Sequence, residues 1–340
     1  MNTKNNNYFI PPVGLLNLSI KGKANKRNKN SYNTCYINSS VQCLFRLEEF
    51  KNFILKSSKG KLSEETRKLI LDMINNKDCK NNILSMSKIK ECLAEFNEKY
   101  SDNNPKDANE FITDYLNALH KENAIKDDII KNEIAKCKDE NYSNFLKKCY
   151  KKGSSFISNL FYGILRTKNY CKKCNSIFSI KYHSFIIFDL PLYYLSINNE
   201  NEPLDIEDII ENYIQEKELS NSYCTKCKLK VYTKTDIYKF PKYLIIYLER
   251  QVENYYFKND INIKAMDLTN FLKEKSEKTI FNIKGVIYYS VLNNNNGHYT
   301  SQNLIGNQWY YFDDHEFQRN EKYSEYEGDN PILFFYEKNN

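Results

Sequence analysis

The sequence predicts an α+β protein, and three observations carry that expectation. Apolar positions repeat at helical spacing from about residue 34 to 150, whereas short runs rich in β-branched and aromatic residues dominate after Gly153. The two textures also follow one another, helices first and then strands, which suggests α+β.

Taken in order, residues 1–29 read as a polar, basic N-terminal tail, and 30–340 as a single domain. Ile37, Val41, Leu44 and Phe45 recur at i, i+4, i+7 and i+8, one face of a helix that begins near Cys35. Further helices are expected around 62–75 and 86–98. The clearest lies at 107–120, where Ala108, Phe111, Ile112, Tyr115, Leu116 and Leu119 form one stripe. Pro105 precedes it, and Asp107 with Glu110 has capping-box spacing. Strands are expected at Ser184–Leu192, Thr235–Tyr238, Tyr243–Leu248, Ile280–Val291, Trp309–Phe312 and Ile332–Tyr336, with a helix at about 205–216 and a hairpin loop at Asn293–Asn296.

The bulk composition bounds the function. A hydrophobic fraction of 41% suits a soluble globular chain, and no apolar run is long enough for a membrane-spanning helix. The apolar start at Tyr8–Leu16 is broken by Pro11 and Pro12 and lacks a signal peptide's plan, so the expected location is intracellular, in cytoplasm or nucleus. The net charge of +7 is modest; only Lys21–Lys29 is densely basic, and a solvated tail outweighs nucleic-acid binding as its reading. Ten cysteines in such a chain point to thiols and metal ligands over disulfides.

Two C-x-x-C pairs, Cys171/Cys174 and Cys224/Cys227, have the spacing of tetrahedral zinc knuckles. The intervening stretch is too long for a compact zinc ribbon, so a strand excursion must bring them together. The expected cofactor is one structural zinc with four cysteine ligands and no open position. A redox dithiol is disfavoured because neither pair opens a βαβ unit.

Cys35 follows Asn33 and Thr34, both able to cap, at the start of a helix, where the positive end of the helix dipole favours a thiolate. Most lone cysteines are merely small buried hydrophobes. Of the four histidines, His298 differs in following Gly297 at the end of a polar loop. Trp309-Tyr310-Tyr311-Phe312 then runs into Asp313-Asp314, carboxylates of the kind that hold an imidazole in one tautomer.

Together these residues carry a resemblance. Asn33 to Ser39 with Val41, Gln42 and Leu44 resembles the cysteine box of the ubiquitin-specific proteases, the papain-like cysteine deubiquitinases. Gly297-His298-Tyr299 resembles their histidine box, Trp309 to Asp314 the stretch that follows it, Asp107 to Phe111 the motif on the helix beside the cleft, and Leu333 to Tyr336 the closing strand. The motifs occur in family order and span residues 30–336.

The resemblance implies a papain-like fold with a helical thumb (about 30–150), β-rich fingers tipped by zinc (about 155–250) and a β-rich palm (about 240–340). It implies hydrolysis of the isopeptide or peptide bond after ubiquitin's C-terminal glycine, with no organic cofactor; a ubiquitin-binding scaffold with little activity is the alternative. Cys35 would be the nucleophile, His298 the base, Asp313 its orienter with Asp314 as alternative or helper, and Asn30 the oxyanion amide. Asp107 and Tyr299 would bind the ubiquitin tail. The expected partners are ubiquitin, ubiquitinated proteins and an adaptor or activating subunit, with no membrane and with nucleic acid disfavoured. The chain departs from the family at Tyr32, where glycine is usual, at Pro105-Lys106, at Leu248-Glu249-Arg250-Gln251 and at Tyr288-Tyr289.

Overall fold

In a computed structural model, the described residues are 8–17, 33–56, 58–75, 84–126, 128–196, 202–252, 255–273, 278–292, 296–320 and 330–339. By internal contacts they fall into two units, residues 1–123 with 284–335, and 124–283 with 336–340.

The first unit joins helices to an antiparallel sheet. Its helices include Cys35–Leu44, Glu48–Lys56, Lys61–Asn75, Ser87–Phe96 and Ala108–Asn123. Every residue of Cys35–Leu44 is buried. The expected stripe of the Ala108–Asn123 helix is also inside, with Phe111, Ile112, Tyr115, Leu116 and Leu119 all at 0% exposure. The two helices meet edge to face, with the Tyr36 and Phe111 ring centroids 5.7 Å apart. Strands Ile280–Leu292, Asn296–Ile305, Gln308–Asp313 and Glu316–Asn320 follow as consecutive antiparallel neighbours. Of the expected loop at Asn293–Asn296, residues 293–295 lie outside the described residues and Asn296 already opens a strand.

The expected N-terminal tail needs a correction. Residues 8–17 are structural: Ile10, Val13 and Leu15 are buried, and Leu15–Leu16 pairs in parallel with Leu84–Ser85. Arg46 donates to the Ile10 and Pro11 carbonyls, and Gln42 to that of Val13. Gly14 permits the closest approach: a Cβ there would lie 2.0 Å from the His315 carbonyl oxygen. The sequence hid this because Pro11, Pro12 and Gly14 interrupt the apolar run and leave it without a helical or strand period. The basic run 21–29 lies outside the described residues.

The second unit is built on an antiparallel sheet in the order Ile177–Phe185, Gly163–Tyr170, Lys230–Lys239, Lys217–Tyr223. Outside that four-stranded sheet, Ile187–Pro191 pairs in parallel with Tyr243–Glu249. The run expected as one strand, Ser184–Leu192, is therefore two, changing partners at Ile186; apolar residues on both sides of the break conceal it. The amphipathic helix Ile206–Ile214 appears where expected. Tyr142, Tyr182 and Tyr238 form a ring cluster, with the Tyr182 hydroxyl donating to Asp139.

Candidate functional site

Cys35 is the first residue of its helix, with Thr34 at the N-cap. The Ile37 and Asn38 amides both donate to the Thr34 carbonyl, at 3.0 and 2.9 Å. The amides of Cys35 and Tyr36 precede any i−4 carbonyl of the helix, so they stand among the donors a helix leaves free at its start. Thr34 does not cap with its side chain. Its hydroxyl and its amide instead both donate to Asn17 Oδ1, at 3.0 and 2.8 Å.

His298 comes to the same place from strand Asn296–Ile305, and Asp313 ends strand Gln308–Asp313. His298 Nε2 lies 2.6 Å from Asp313 Oδ1, which makes that nitrogen the protonated donor. The ring also hydrogen-bonds with Cys35, for which Nδ1 is the nitrogen left. Bonding to Asp313 first, then to Cys35, raises His298 to about 10 against the opposing effect of burial. The His298 imidazolium in turn holds the Asp313 carboxyl below its ordinary range.

Asp314 makes a different set of hydrogen bonds. It sits at φ +50° in the turn, with a carboxylate oxygen within 4.8 Å of the His298 ring and the Asp313 carboxylate. Asn38 Nδ2 donates to its Oδ1 at 2.8 Å, Asn17 Nδ2 to its Oδ2 at 2.7 Å, and the Leu15 amide to its carbonyl at 2.8 Å. Burial raises its carboxyl above the usual range, with the two amides opposing.

Asn17 and Asn38 are thus the site residues that sequence reasoning missed. Both occur in an Asn-rich chain, and Asn17 meets Asp314 across 297 residues of sequence. No spacing could have singled it out. Asn30 and Tyr32 lie outside the described residues.

The other two candidates meet each other. Tyr299, 7% exposed, donates its hydroxyl to Asp107 Oδ1 at 3.0 Å. Burial, and then Asp107, push its phenol upward. Asp107 precedes the Ala108–Asn123 helix, and the expected capping partner Glu110 pairs with Lys99.

In the second unit the four cysteine sulfurs lie within 4.8 Å of one another, with Cys174 Sγ and Cys224 Sγ 3.7 Å apart. Tetrahedral zinc with bonds of about 2.3 Å requires sulfur separations of about 3.8 Å. The two knuckles are built alike. The Asn175 amide donates to the Cys171 carbonyl and the Lys228 amide to the Cys224 carbonyl, each at 2.8 Å, and Asn175 and Lys228 both adopt positive φ. The Ser176 hydroxyl, above all, lowers Cys174, and Cys174 in turn raises Cys227. Thiols so crowded cannot all ionise without a cation, so the donor set fits zinc.

A family model described as ubiquitin carboxyl-terminal hydrolase matches residues 27–336. The chain belongs to that family. It is 25% identical over 334 residues to ubiquitin carboxyl-terminal hydrolase 2 of Bos taurus, covering 87% of this chain and 52% of that one. To Usp2 of Drosophila melanogaster it is 25% identical over 316 residues, covering 84% and 32%. The chain therefore spans about half or less of the length of these relatives. In fold it is similar to a SAGA DUB module of Ubp8, Sgf11, Sus1 and Sgf73 bound to monoubiquitin, with TM-score 0.68, 16% identity, and coverage of 98% of this chain and 70% of that one. The same module bound to ubiquitin aldehyde gives TM-score 0.67 at 17% identity, covering 100% and 72%. This likeness establishes the mixed helix-and-sheet fold of the family.

Proposed function

We propose that this chain is a thiol-dependent deubiquitinase that hydrolyses the bond after the C-terminal glycine of ubiquitin. The carrying observation is the alignment of Cys35, His298 and Asp313, with one imidazole bonded to both a sulfur and a carboxylate, in a chain of this family.

Cys35 Sγ, as thiolate, attacks the scissile carbonyl carbon, and the carbonyl oxygen takes the negative charge. The free amides at the start of the Cys35–Leu44 helix are the donors for that oxyanion. The C–N bond then breaks as the imidazolium of His298 gives its proton to the departing amine, leaving a thioester on Cys35. A water gives a proton to His298 and attacks the thioester, releasing the carboxylic acid and restoring the thiolate. Asp313 keeps Nε2 protonated and so turns Nδ1 toward the sulfur. Asp314 has a different part: held by Asn38 and Asn17, it fixes the turn that carries Asp313.

The Cys171/Cys174/Cys224/Cys227 cluster would hold one zinc, which supplies a cross-link and no open coordination position. Ubiquitinated proteins as substrates, and a partner subunit, are supported by the ubiquitin and the Sgf11, Sus1 and Sgf73 subunits in two structures similar to this one.

Ubiquitin–aminomethylcoumarin tests the reading. Wild type should release the fluorophore and react with a ubiquitin vinyl-type probe, and Cys35→Ala should do neither. A wild type that binds ubiquitin but stays unlabelled would instead make the chain a scaffold.

A further inference from the structure

The outer half of the four-stranded sheet in the second unit has so far served only to carry the zinc cysteines. Its charge is lopsided. Residues 166–181 and 216–236 hold ten Lys or Arg against three Asp or Glu, a surplus of +7 that equals the net charge of the whole chain. Zinc held by four thiolates would bring a net charge of about −2, which leaves this end of the sheet strongly positive. The modest charge of the chain as a whole therefore conceals one concentrated patch. The expectation that nucleic acid is disfavoured rests on that average and on Lys21–Lys29, and neither describes the patch.

Aromatic rings are set into it. Tyr170 and Tyr232 are direct cross-strand partners on the two central strands, so their side chains rise from one face. Lys230 lies two residues from Tyr232 on that face, and Tyr223 on the edge strand is its cross-strand partner. Three successive strands thus each present a tyrosine, with Ile177 beside Tyr170 on the fourth. Each ring carries a lysine. Lys168 Nζ stands 4.6 Å from the Tyr170 centroid, Lys172 Nζ 4.0 Å from that of Tyr232, and Lys230 Nζ 4.8 Å from that of Tyr223. Tyr223 is 56% exposed and Ile177 53%, so the face is open to solvent. Toward the other end of the sheet the face is closed by the Arg166–Asp236 pair and the cluster of Tyr142, Tyr182 and Tyr238. Two acids border the open part. Glu216 pairs with Lys172, and Glu218 accepts from the Tyr232 hydroxyl at 3.4 Å and lies 3.6 Å from Lys230.

A ring joined to a cation, repeated from strand to strand, matches a ligand that joins a flat base to a phosphate in every unit. The bases stack on the tyrosine faces, and the phosphates take up the ammonium groups. An acidic peptide supplies the charge but no flat faces, and a duplex keeps its base faces stacked inside. Glu218 selects the sugar: its carboxylate repels phosphate but accepts from a ribose 2′-hydroxyl, which DNA lacks. We infer that the face bearing Tyr170, Tyr232 and Tyr223 is a stacking platform for single-stranded RNA, separate in its chemistry from the thiol site.

Fluorescence anisotropy of a labelled oligouridine of about twelve nucleotides, with the zinc-loaded full chain, is the test. Wild type should bind with a Kd of about 1–100 µM at about 100 mM NaCl, and more weakly as salt rises. Tyr232→Leu should weaken binding roughly fivefold to 100-fold with its salt dependence intact, since a stacking face is lost and no charge. Tyr232→Phe keeps the ring and should bind within about twofold of wild type. Lys168→Gln combined with Lys226→Gln should instead flatten the slope of log K against log salt by about 1.4. The matching deoxyuridine strand should bind roughly threefold to tenfold more weakly, the worth of a hydrogen bond. Zinc content is measured on every variant. Where Tyr232→Leu loses its zinc, Tyr223→Leu, at an exposed position, takes its place and should weaken binding at least about fivefold. Wild-type affinity in both leucine variants overturns the platform, and is the result expected if Lys21–Lys29 did the binding. Absence of saturable binding by wild type, or equal binding of an oligoglutamate of the same charge, overturns it as well. Equal binding of the deoxyuridine strand overturns the choice of RNA.

Discussion

Asn17 provides the sharpest test of how this site is held together. Its side-chain oxygen accepts from the amide and hydroxyl of Thr34, and its nitrogen donates to Asp314. One amide thus ties the residue before Cys35 to the residue after Asp313. Asn17→Ala removes two neutral hydrogen bonds, worth about 0.5–1.5 kcal/mol each, and one to a carboxylate, worth about 1.5–3 kcal/mol. The group is only partly buried, and water can take over some of these bonds, so a loss of about 2–4 kcal/mol in urea unfolding is expected. Turnover of ubiquitin–aminomethylcoumarin should fall further than the folded fraction accounts for, because Cys35 and Asp313 lose their common brace; misplacement by about 1 Å costs roughly 100-fold. Asn17→Asp adds a diagnostic pH dependence. It sets a second carboxylate 2.7 Å from Asp314 Oδ2, where two like charges must share a proton. The variant should be less stable than Asn17→Ala at pH 8, and the gap should narrow as pH falls and the pair takes up that proton. A midpoint for Asn17→Ala within about 0.5 kcal/mol of wild type, with turnover within twofold, would refute the brace.

Other expectations follow from the same geometry. His298 is raised from 6.5 to about 10 in the folded chain. Its contribution to stability is thus complete below about pH 6.5 and lost as pH rises through about 10. Urea midpoints of wild type and His298→Gln, compared from pH 6 to 10.5, should converge at the alkaline end; a constant difference would contradict the His298–Asp313 pairing. Asp313→Ala should cut turnover by about 100-fold or more while Asp314→Ala acts mainly on stability, separable by measuring kcat and unfolding on both. Elemental analysis should find about one zinc per chain, and Cys171→Ser or chelation should lower the thermal midpoint; a metal-free native protein with an unchanged midpoint would sink the zinc site. Gly14→Ala should destabilise the fold by forcing back the turn at His315, whose carbonyl oxygen lies 2.0 Å from where the new Cβ would be. Its unfolding free energy should drop by about 1–3 kcal/mol, as in overpacked cores.

The helical stripe at Ala108 to Leu119 and the strand runs at Tyr243 and Ile280 were legible because burial on one face imposes a period. Cys35, His298 and Asp313 and the four C-x-x-C cysteines stood out as candidates by residue type and local motif, and the structure brings each set together. The division at Ile186 was not legible, because a continuous apolar run carries no mark where a strand changes partner.

Local sequence determined which residues could do chemistry here. Only the tertiary structure decided which carboxylate hydrogen-bonds the imidazole: Asp313 and Asp314 are adjacent and alike, yet Asp313 bonds His298 while Asp314, at φ +50° in the turn, bonds Asn17 and Asn38. It also decided that Asn17 belongs to the site. Asn17 meets Asp314 across 297 residues of sequence through a common residue type, and such a contact leaves no periodicity for a sequence to display.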